Sequence, residues 1–299
     1  MDRLEAMAML VQVVESGSFS AASRVLHVPL ATLSRRIADL EARLGTRLLH
    51  RTTRKLTLTD AGIDYVAAAR RILEQVEEAE RTAASEFTEP KGELVLTAPL
   101  MFGRLHVLPI VTEFLSEHPQ ITVKLTLADR HVDLIADHVD MAVRIGKLPD
   151  SSMVATQVGT MRLVTCANPH LLRGKRLPRT PQELAKLPCI AIDAPAPAPQ
   201  WRFHKPENGR PFDVVVTPRL IVNTPEAAIE AATMGVGVTR LLHYQAAAAI
   251  ERGELRLILT DYEPAPVPIH VLHTSRGQMP LKMRRFLDFA VPKLRATLK

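Results

Sequence analysis

Apolar side chains in the first sixty residues recur at helical spacing. Leu4, Met7, Leu10, Val11 and Val14 share one face of a predicted helix over 2–15. Ser16-Gly17 ends it, and Ser18 is placed to cap a second helix over about 19–26 whose inward stripe is Phe19, Ala22, Val25 and Leu26. After His27-Val28-Pro29, Leu33, Ile37, Leu40 and Leu44 form the stripe of a third helix, and Gly45 stands where a left-handed residue closes one. The opposite face carries Thr32, Arg35, Arg36, Asp39 and Arg43. Two short helices joined by a tight turn predict a helix-turn-helix at about 18–37. By themselves they equally describe an ordinary helical hairpin with a solvated basic face.

Further along, the period changes. Leu48–Thr59 reads as two short strands around a basic turn, a β-wing that places Arg51, Arg54 and Lys55 near a groove or phosphates. Residues 61–88 read as one long helix with Tyr65, Ala69, Ile72, Val76, Ala79 and Ala83 in a coiled-coil-like seam. Glu74, Glu77, Glu78 and Glu80 leave only that narrow stripe apolar, which favours a dimerisation helix over one packed on its own domain. Pro90-Lys91-Gly92 ends the segment. Strand-like runs then alternate with helical ones. Strands are expected at 93–98, 121–128, 140–144, 162–167, 218–223, 235–239, 255–259 and 269–274. Helices are expected at 101–117, with Leu105, Leu108, Val111, Phe114 and Leu115 inward, and at 131–137, 225–234, 243–252 and about 280–297. Such alternation implies an α/β domain with a mostly parallel sheet.

Charge sharpens the picture of the N-terminal region. Residues 18–55 carry eight basic side chains against Asp39 and Glu41, whereas residues 56–90 carry eight acidic ones against Arg70, Arg71 and Arg81. A basic face concentrated on a helical unit is the electrostatic footprint of a nucleic-acid binder. The net charge of +6 over 299 residues says less than this clustering. No apolar run approaches a membrane span, the N-terminus lacks a signal-peptide pattern, and two cysteines are too few for a disulfide framework. A cytoplasmic protein with no membrane partner is expected.

The motifs SFSAASRVL and SRRIADLEARLGTRLLHRTTRKLTLTDAG resemble the LysR-type transcriptional regulators. Weaker matches continue through the Glu113–Pro119, Val139–Gly146 and Gly235–Val238 segments, so the resemblance spans nearly the whole chain. It implies a fold that is α/β overall: a winged helix-turn-helix DNA-binding domain at 1–60, a linker and dimerisation helix at 61–90, and a two-lobed effector-binding domain at 91–299 resembling periplasmic binding proteins. One lobe is expected at about 91–161 with 268–299, the other at about 162–267. The resemblance places DNA-binding roles on Thr32, Ser34, Arg35 and Arg36, with wing or backbone roles on Arg51, Thr52 and Arg54. Arginine forks suit guanine edges and phosphates, and short hydroxyls suit either. Where the family often has Ser-Gln-(Pro/Ser), this chain has Pro29-Leu30-Ala31; Leu30 has no amide for adenine, leaving apolar contact with a thymine methyl. The expected partners are double-stranded DNA, a non-covalent small-molecule effector, a homo-oligomer (a dimer of dimers) and RNA polymerase.

A cleft between two lobes is the usual place for such an effector. The turn Ala98-Pro99-Leu100-Met101-Phe102 joins the first strand to its helix, where backbone N–H groups suit a carboxylate, and Thr97 adds a hydroxyl. Family members often have Ser or Thr near Pro99. Across the cleft are Asn223 and Thr224, while Arg144 is either a carboxylate partner or a structural ion-pair residue. The effector is therefore expected to be a carboxylate or an aromatic metabolite. Two alternatives remain at this stage. One is a constitutive DNA-binding regulator whose α/β domain only oligomerises. The other is an α/β enzyme with a fused DNA-binding domain, which would need a catalytic constellation that the sequence does not show; turnover abolished by changing Cys166 would support it.

Overall fold

The computed structural model describes residues 2–51, 56–83, 89–129, 134, 137–148, 153–171, 177–193, 200–273 and 279–298. The chain divides into two units, Met1–Gly92 and Glu93–Lys299. In the first, α1 (Arg3–Glu15), α2 (Phe19–Leu26) and α3 (Leu30–Leu44) precede a two-stranded wing, β1 (Leu49–Arg51) and β2 (Leu56–Leu58), and the long α4 (Asp60–Ala83). The wing strands are antiparallel, with Leu49 opposite Leu58 and Arg51 opposite Leu56. The basic turn between them lies outside the described residues.

The core of this unit gathers Ala6, Met9, Leu10, Val13, Ala22, Leu33, Ile37, Leu40, Leu48, Leu49 and Val66. For α1 this corrects the expected stripe: of Leu4, Met7, Leu10, Val11 and Val14 only Leu10 is fully buried. The segment MAMLVQVV is apolar around most of its circumference, and α2, α3 and α4 all pack on it. Periodicity alone therefore could not single out one face. Val25, at the edge of the α2 stripe, is 58% exposed, and Leu44, beside the closing Gly45, is 40% exposed.

The second unit contains two mixed sheets. The first is built from β3 (Gly92–Ala98), β4 (Ile121–Leu127), β5 (Met141–Ile145) and β6 (Val154–Met161). The chain then crosses at Arg162 into β7 (Leu163–Ala167), β8 (Cys189–Ile192), the hairpin β9 (Gln200–His204) and β10 (Pro211–Val215), and β11 (Pro218–Val222). Helix α7 (Pro225–Thr233), β12 (Val238–Leu242), α8 (His243–Glu251) and β13 (Arg256–Ile258) follow, before β14 (Val267–His273) returns to the first sheet and α9 (Leu281–Thr297) covers it. Helices α5 (Leu100–Phe102) and α6 (Leu108–Glu117) lie between β3 and β4, joined by a π-helical turn over Gly103–Val107.

Strand order is β4-β3-β5-β14-β6 in one sheet and β11-β8-β12-β7-β13 in the other. The expectation of mostly parallel strands is corrected. β14 runs antiparallel to both neighbours, and β7 runs antiparallel to β12 and β13. The late return of the chain puts β14 beside strands laid down more than a hundred residues earlier, an arrangement invisible to local pattern. Strands β6 and β8 and the β9–β10 hairpin were not anticipated; the hairpin buries Trp201, Phe203 and Val214 over one side of the second sheet. The expected helix at 131–137 falls largely outside the described residues, and Asp137-His138 is a turn.

The helical stretch after β3 also differs from expectation. Phe102, Val107, Ile110, Val111 and Phe114 face the core, while Leu105 and Leu108 are 42% and 44% exposed. Pro109 has no N–H to offer the Leu105 carbonyl, and the widened turn at Gly103–Val107 breaks the register ahead of it, so Leu105 and Leu108 turn outward while Val111 and Phe114 face the core as expected. A Cβ on Gly103 would come within 2.2 Å of the Leu127 side chain, so glycine permits the close approach of this turn to β4.

Candidate DNA-binding face and effector site

Side-chain to backbone hydrogen bonds set the helix-turn-helix. The Ser18 hydroxyl accepts the Ala21 N–H at 3.1 Å, capping α2 as expected. Ser23 donates to the Val28 carbonyl at 2.6 Å, and His27 takes a left-handed conformation to close α2. These contacts fix where α3 starts. Along α3, Leu33, Ile37 and Leu40 face the core. Leu30, Ala31, Arg35, Ala38, Asp39, Ala42 and Arg43 are exposed, and Thr32, Ser34 and Arg36 are half-buried. Arg36 lies 3.5 Å from the Glu5 carboxylate of α1. Arg51 belongs to β1, while Thr52 and Arg54 lie outside the described residues.

The wing is held by residues that charge counting treats only as opposing or neutral. One carboxylate oxygen of Glu41, on α3, accepts the N–H groups of Leu48 and Leu49 at 2.8 and 3.1 Å. Thr59 donates to the Arg47 carbonyl at 2.8 Å and accepts the Gly62 N–H at 2.9 Å. A Cβ on Gly62 would lie 2.0 Å from the Leu48 carbonyl oxygen, so only glycine lets α4 pass this close to the wing. The Leu-Glu and Leu-Thr-x-Ala-Gly motifs thus join α3, wing and α4 into one piece. On α4, Val66 and Ala69 are buried within this unit, Ile72 is 38% exposed, and Ala79 is exposed.

At the effector site the expected residues separate into core and surface. Thr97, Ala98 and Phe102 are fully buried, and the Thr97 hydroxyl borders an apolar cavity of about 20 Å³ inside the first sheet's core without a hydrogen-bond partner. Pro99 and Met101 are half-buried and Leu100 is 38% exposed. The Leu100 N–H, expected to be open to a carboxylate, donates to Asp129 Oδ1 at 3.0 Å. Arg144 is half-buried, with its pKa lowered by burial. Thr97 pairs with Ala142 across the parallel β3–β5 ladder, so the register brings Arg144 level with Pro99. Asn223 is exposed beyond β11 of the other sheet, and the Thr224 hydroxyl caps α7 by accepting the Ala227 N–H at 3.3 Å.

What sequence reasoning missed here is a ring cluster joining the two lobes. Tyr244, at the start of α8, packs edge-on against Phe102 and His106 with centroids 5.5 Å away in each case. Phe102 and His106 are 4.7 Å apart. Burial lowers the His106 pKa, and its Nε2 is buried without a hydrogen-bond partner. Burial raises the Tyr244 pKa, and the negative charges of Asp129 and Glu226 act the same way. One carboxylate oxygen of Glu226 is likewise buried without a partner. Where the chain crosses between sheets, Arg162 makes a two-pronged bond to Glu263 at 2.8 and 2.9 Å. Glu263 lies on the return crossing between β13 and β14. No sequence motif marks these residues.

The cysteines do not support an enzyme. Cys166 and Cys189 are fully buried, and desolvation pushes their thiols up to about 12 and about 11. A nucleophilic cysteine needs the opposite shift. Among the described residues no helix is long and apolar enough to cross a membrane.

Comparison with known proteins defines the class. Residues 4–63 match the bacterial regulatory helix-turn-helix protein of the lysR family, and residues 87–295 match the LysR substrate binding domain. An HTH-type transcriptional regulator of Xanthomonas campestris pv. campestris (strain 8004) is 33% identical over 288 residues, covering 95% of this chain and 83% of its own. The HTH-type transcriptional activator AaeR of Escherichia coli (strain K12) is 30% identical, covering 95% of this chain and 91% of its own. The solved structure of CrgA, a LysR-type transcriptional regulator from Neisseria meningitidis, is 29% identical and covers 98% of this chain and 99% of its own with a TM-score of 0.61. The chain belongs to the LysR family of transcriptional regulators. It is a transcription factor with a helix-turn-helix domain that binds DNA and a two-lobed domain that binds a small-molecule effector.

Proposed function

We propose that this regulator works in the cytoplasm as a homotetramer, a dimer of dimers on paired half-sites of double-stranded DNA, and acts on RNA polymerase. In this reading residues 1–60 bind DNA, 61–90 pair subunits, and 91–299 bind the effector between lobes at about 91–161 with 268–299 and 162–267. Thr32, Ser34, Arg35 and Arg36 enter the groove, and Arg51, Thr52 and Arg54 hold the backbone. Exposed Ile72 in the seam of α4 supports pairing of subunits through that helix.

The effector is a carboxylate or aromatic metabolite held non-covalently near Pro99–Met101, Arg144, Asn223 and Thr224. One observation favours the aromatic class: the rings of Phe102, His106 and Tyr244 meet across the lobes directly beside that segment. Asp129 already occupies the Leu100 N–H, which disfavours a purely anionic ligand there. A planar ligand that inserts beside these rings changes the lobe angle, and the energy for the change comes from its unequal affinity for the two geometries.

Thermal-shift measurements with benzoate, salicylate and succinate, combined with footprinting, test this reading. Benzoate or salicylate should stabilise the protein and alter the footprint, with succinate inert. Identical footprints with no stabilising ligand would instead favour constitutive DNA binding. On the DNA side, Arg35→Ala should weaken binding and reduce the slope of log affinity against log salt by about one per lost phosphate contact. Unchanged affinity across salt concentrations would remove Arg35 from the interface.

A further inference from the structure

The first turn of α3 is chemically unlike the rest of that helix. Leu30, its first residue, is 46% exposed, and the adjoining Ala31 is exposed as well. Thr32 is half-buried and Leu33 fully buried, so the side chains that stand furthest into solvent there have no donor or acceptor. One turn later the exposed residue is Arg35, followed by Ala38 and Asp39 and then Ala42 and Arg43, so charge enters the exposed face only after the first turn. The N-terminal residues of a recognition helix are those that meet base edges in the major groove. The one apolar group presented by the bases in that groove is the C5 methyl of thymine.

We propose that Leu30, supported by Ala31, is a specificity-determining residue that reads thymine by packing against its methyl group in each half-site of the operator. This deepens the DNA-binding function and rests on the assignment of α3 to the groove. Two further observations support it. The turn closed by the Ser23–Val28 hydrogen bond and the left-handed His27 holds the start of α3 in place, so Leu30 is presented from a rigid base. The exposed guanidinium of Arg35 one turn further on supplies the positive charge that carries the apolar tip to the DNA.

The test uses the full-length protein and a duplex recovered by selection from a random-sequence pool. Each thymine of that duplex is replaced singly by deoxyuridine, which removes the methyl and keeps every hydrogen-bonding group. In the unaltered protein one position per half-site should raise Kd about fourfold, the value of one methyl-sized apolar contact. In Leu30→Ser that increment should disappear, while smaller increments at other thymines persist. Leu30 is well exposed, so the variant should keep the circular dichroism and melting temperature of the parent. No methyl-dependent position, or an equal increment in Leu30→Ser, overturns the proposal. A pool that yields no preferred duplex overturns sequence-specific reading itself, and this inference with it.

Discussion

The two units of this regulator are held together over different distances along the chain. In the DNA-binding unit the decisive polar contacts are local. Ser18 caps a residue three positions on, Glu41 reaches seven and eight, and Thr59 reaches back twelve. In the effector unit they span the chain. Arg162 and Glu263 are 101 residues apart, and the Lys282 ammonium, 189 residues from Glu93, donates to its carbonyl at 2.5 Å. Arg240 reaches less far: its guanidinium lies over the ring of Phe203, 37 residues back, at 4.4 Å, donates to the Arg202 carbonyl, and has its pKa pushed down to about 10 by burial. A DNA reader must present a rigid surface, and short-range bonds to the backbone give that rigidity cheaply in chain entropy. A two-lobed receptor must join elements from both crossings of the chain, and only long-range contacts do that.

Four measurements press on this contrast, in order of expected size. Gly62→Ala should destabilise the DNA-binding unit by about 4 kcal/mol, because the added Cβ meets a backbone oxygen that cannot swing aside. Denaturant unfolding monitored in the full chain reads this directly, and a loss below about 1 kcal/mol would mean the wing and α4 separate easily. Tyr244→Ala should cost about 3 kcal/mol in the effector unit by emptying the ring cluster. Its calorimetric transition should fall while that of the DNA-binding unit stays put. Tyr244→Phe should be nearly neutral, since the hydroxyl makes only a 3.4 Å contact with Gln245. Glu41→Ala should cost about 2 kcal/mol by leaving the Leu48 and Leu49 N–H groups without their carboxylate. Hydrogen exchange should then speed up at those two amides first.

The smallest effect is pH-dependent and confined to the effector unit. Burial holds the His106 pKa below its ordinary value near 6.5, so the unfolded chain takes up the proton more readily. The stability this neutral ring contributes is complete above pH 6.5 and is lost as pH falls through the folded-state pKa. The charged groups around the cluster are Asp129 and Glu226, which face Tyr244, and Arg104 on the same turn. His106→Gln should flatten the decline in melting temperature below pH 6.5; an unchanged decline would place the titration elsewhere.

Much of the first unit was legible because its instructions are short. The Ser18 cap, the Gly45 stop, the α3 stripe through Leu33, Ile37 and Leu40, and the two wing strands follow from residues within one or two turns of each other. The α1 face was misread because a helix surrounded by three others needs no polar side to mark its core face. In the second unit the alternation of strands and helices was legible, and so was the turn at 98–100 between the first strand and its helix. The burial of Thr97, Ala98 and Phe102 was not, nor was the ring contact that Phe102 makes with Tyr244. Sequence by itself determined the class of element, the basic recognition helix and the family, since each is carried by spacing or by a contiguous motif. Only the tertiary structure decided which strands run antiparallel, which face of α1 is inward, and which side chains meet between the lobes. Those depend on contacts between elements far apart along the chain, about seventy residues for β7 with β12 and more than a hundred for β14 with β5, and local periodicity carries no record of them.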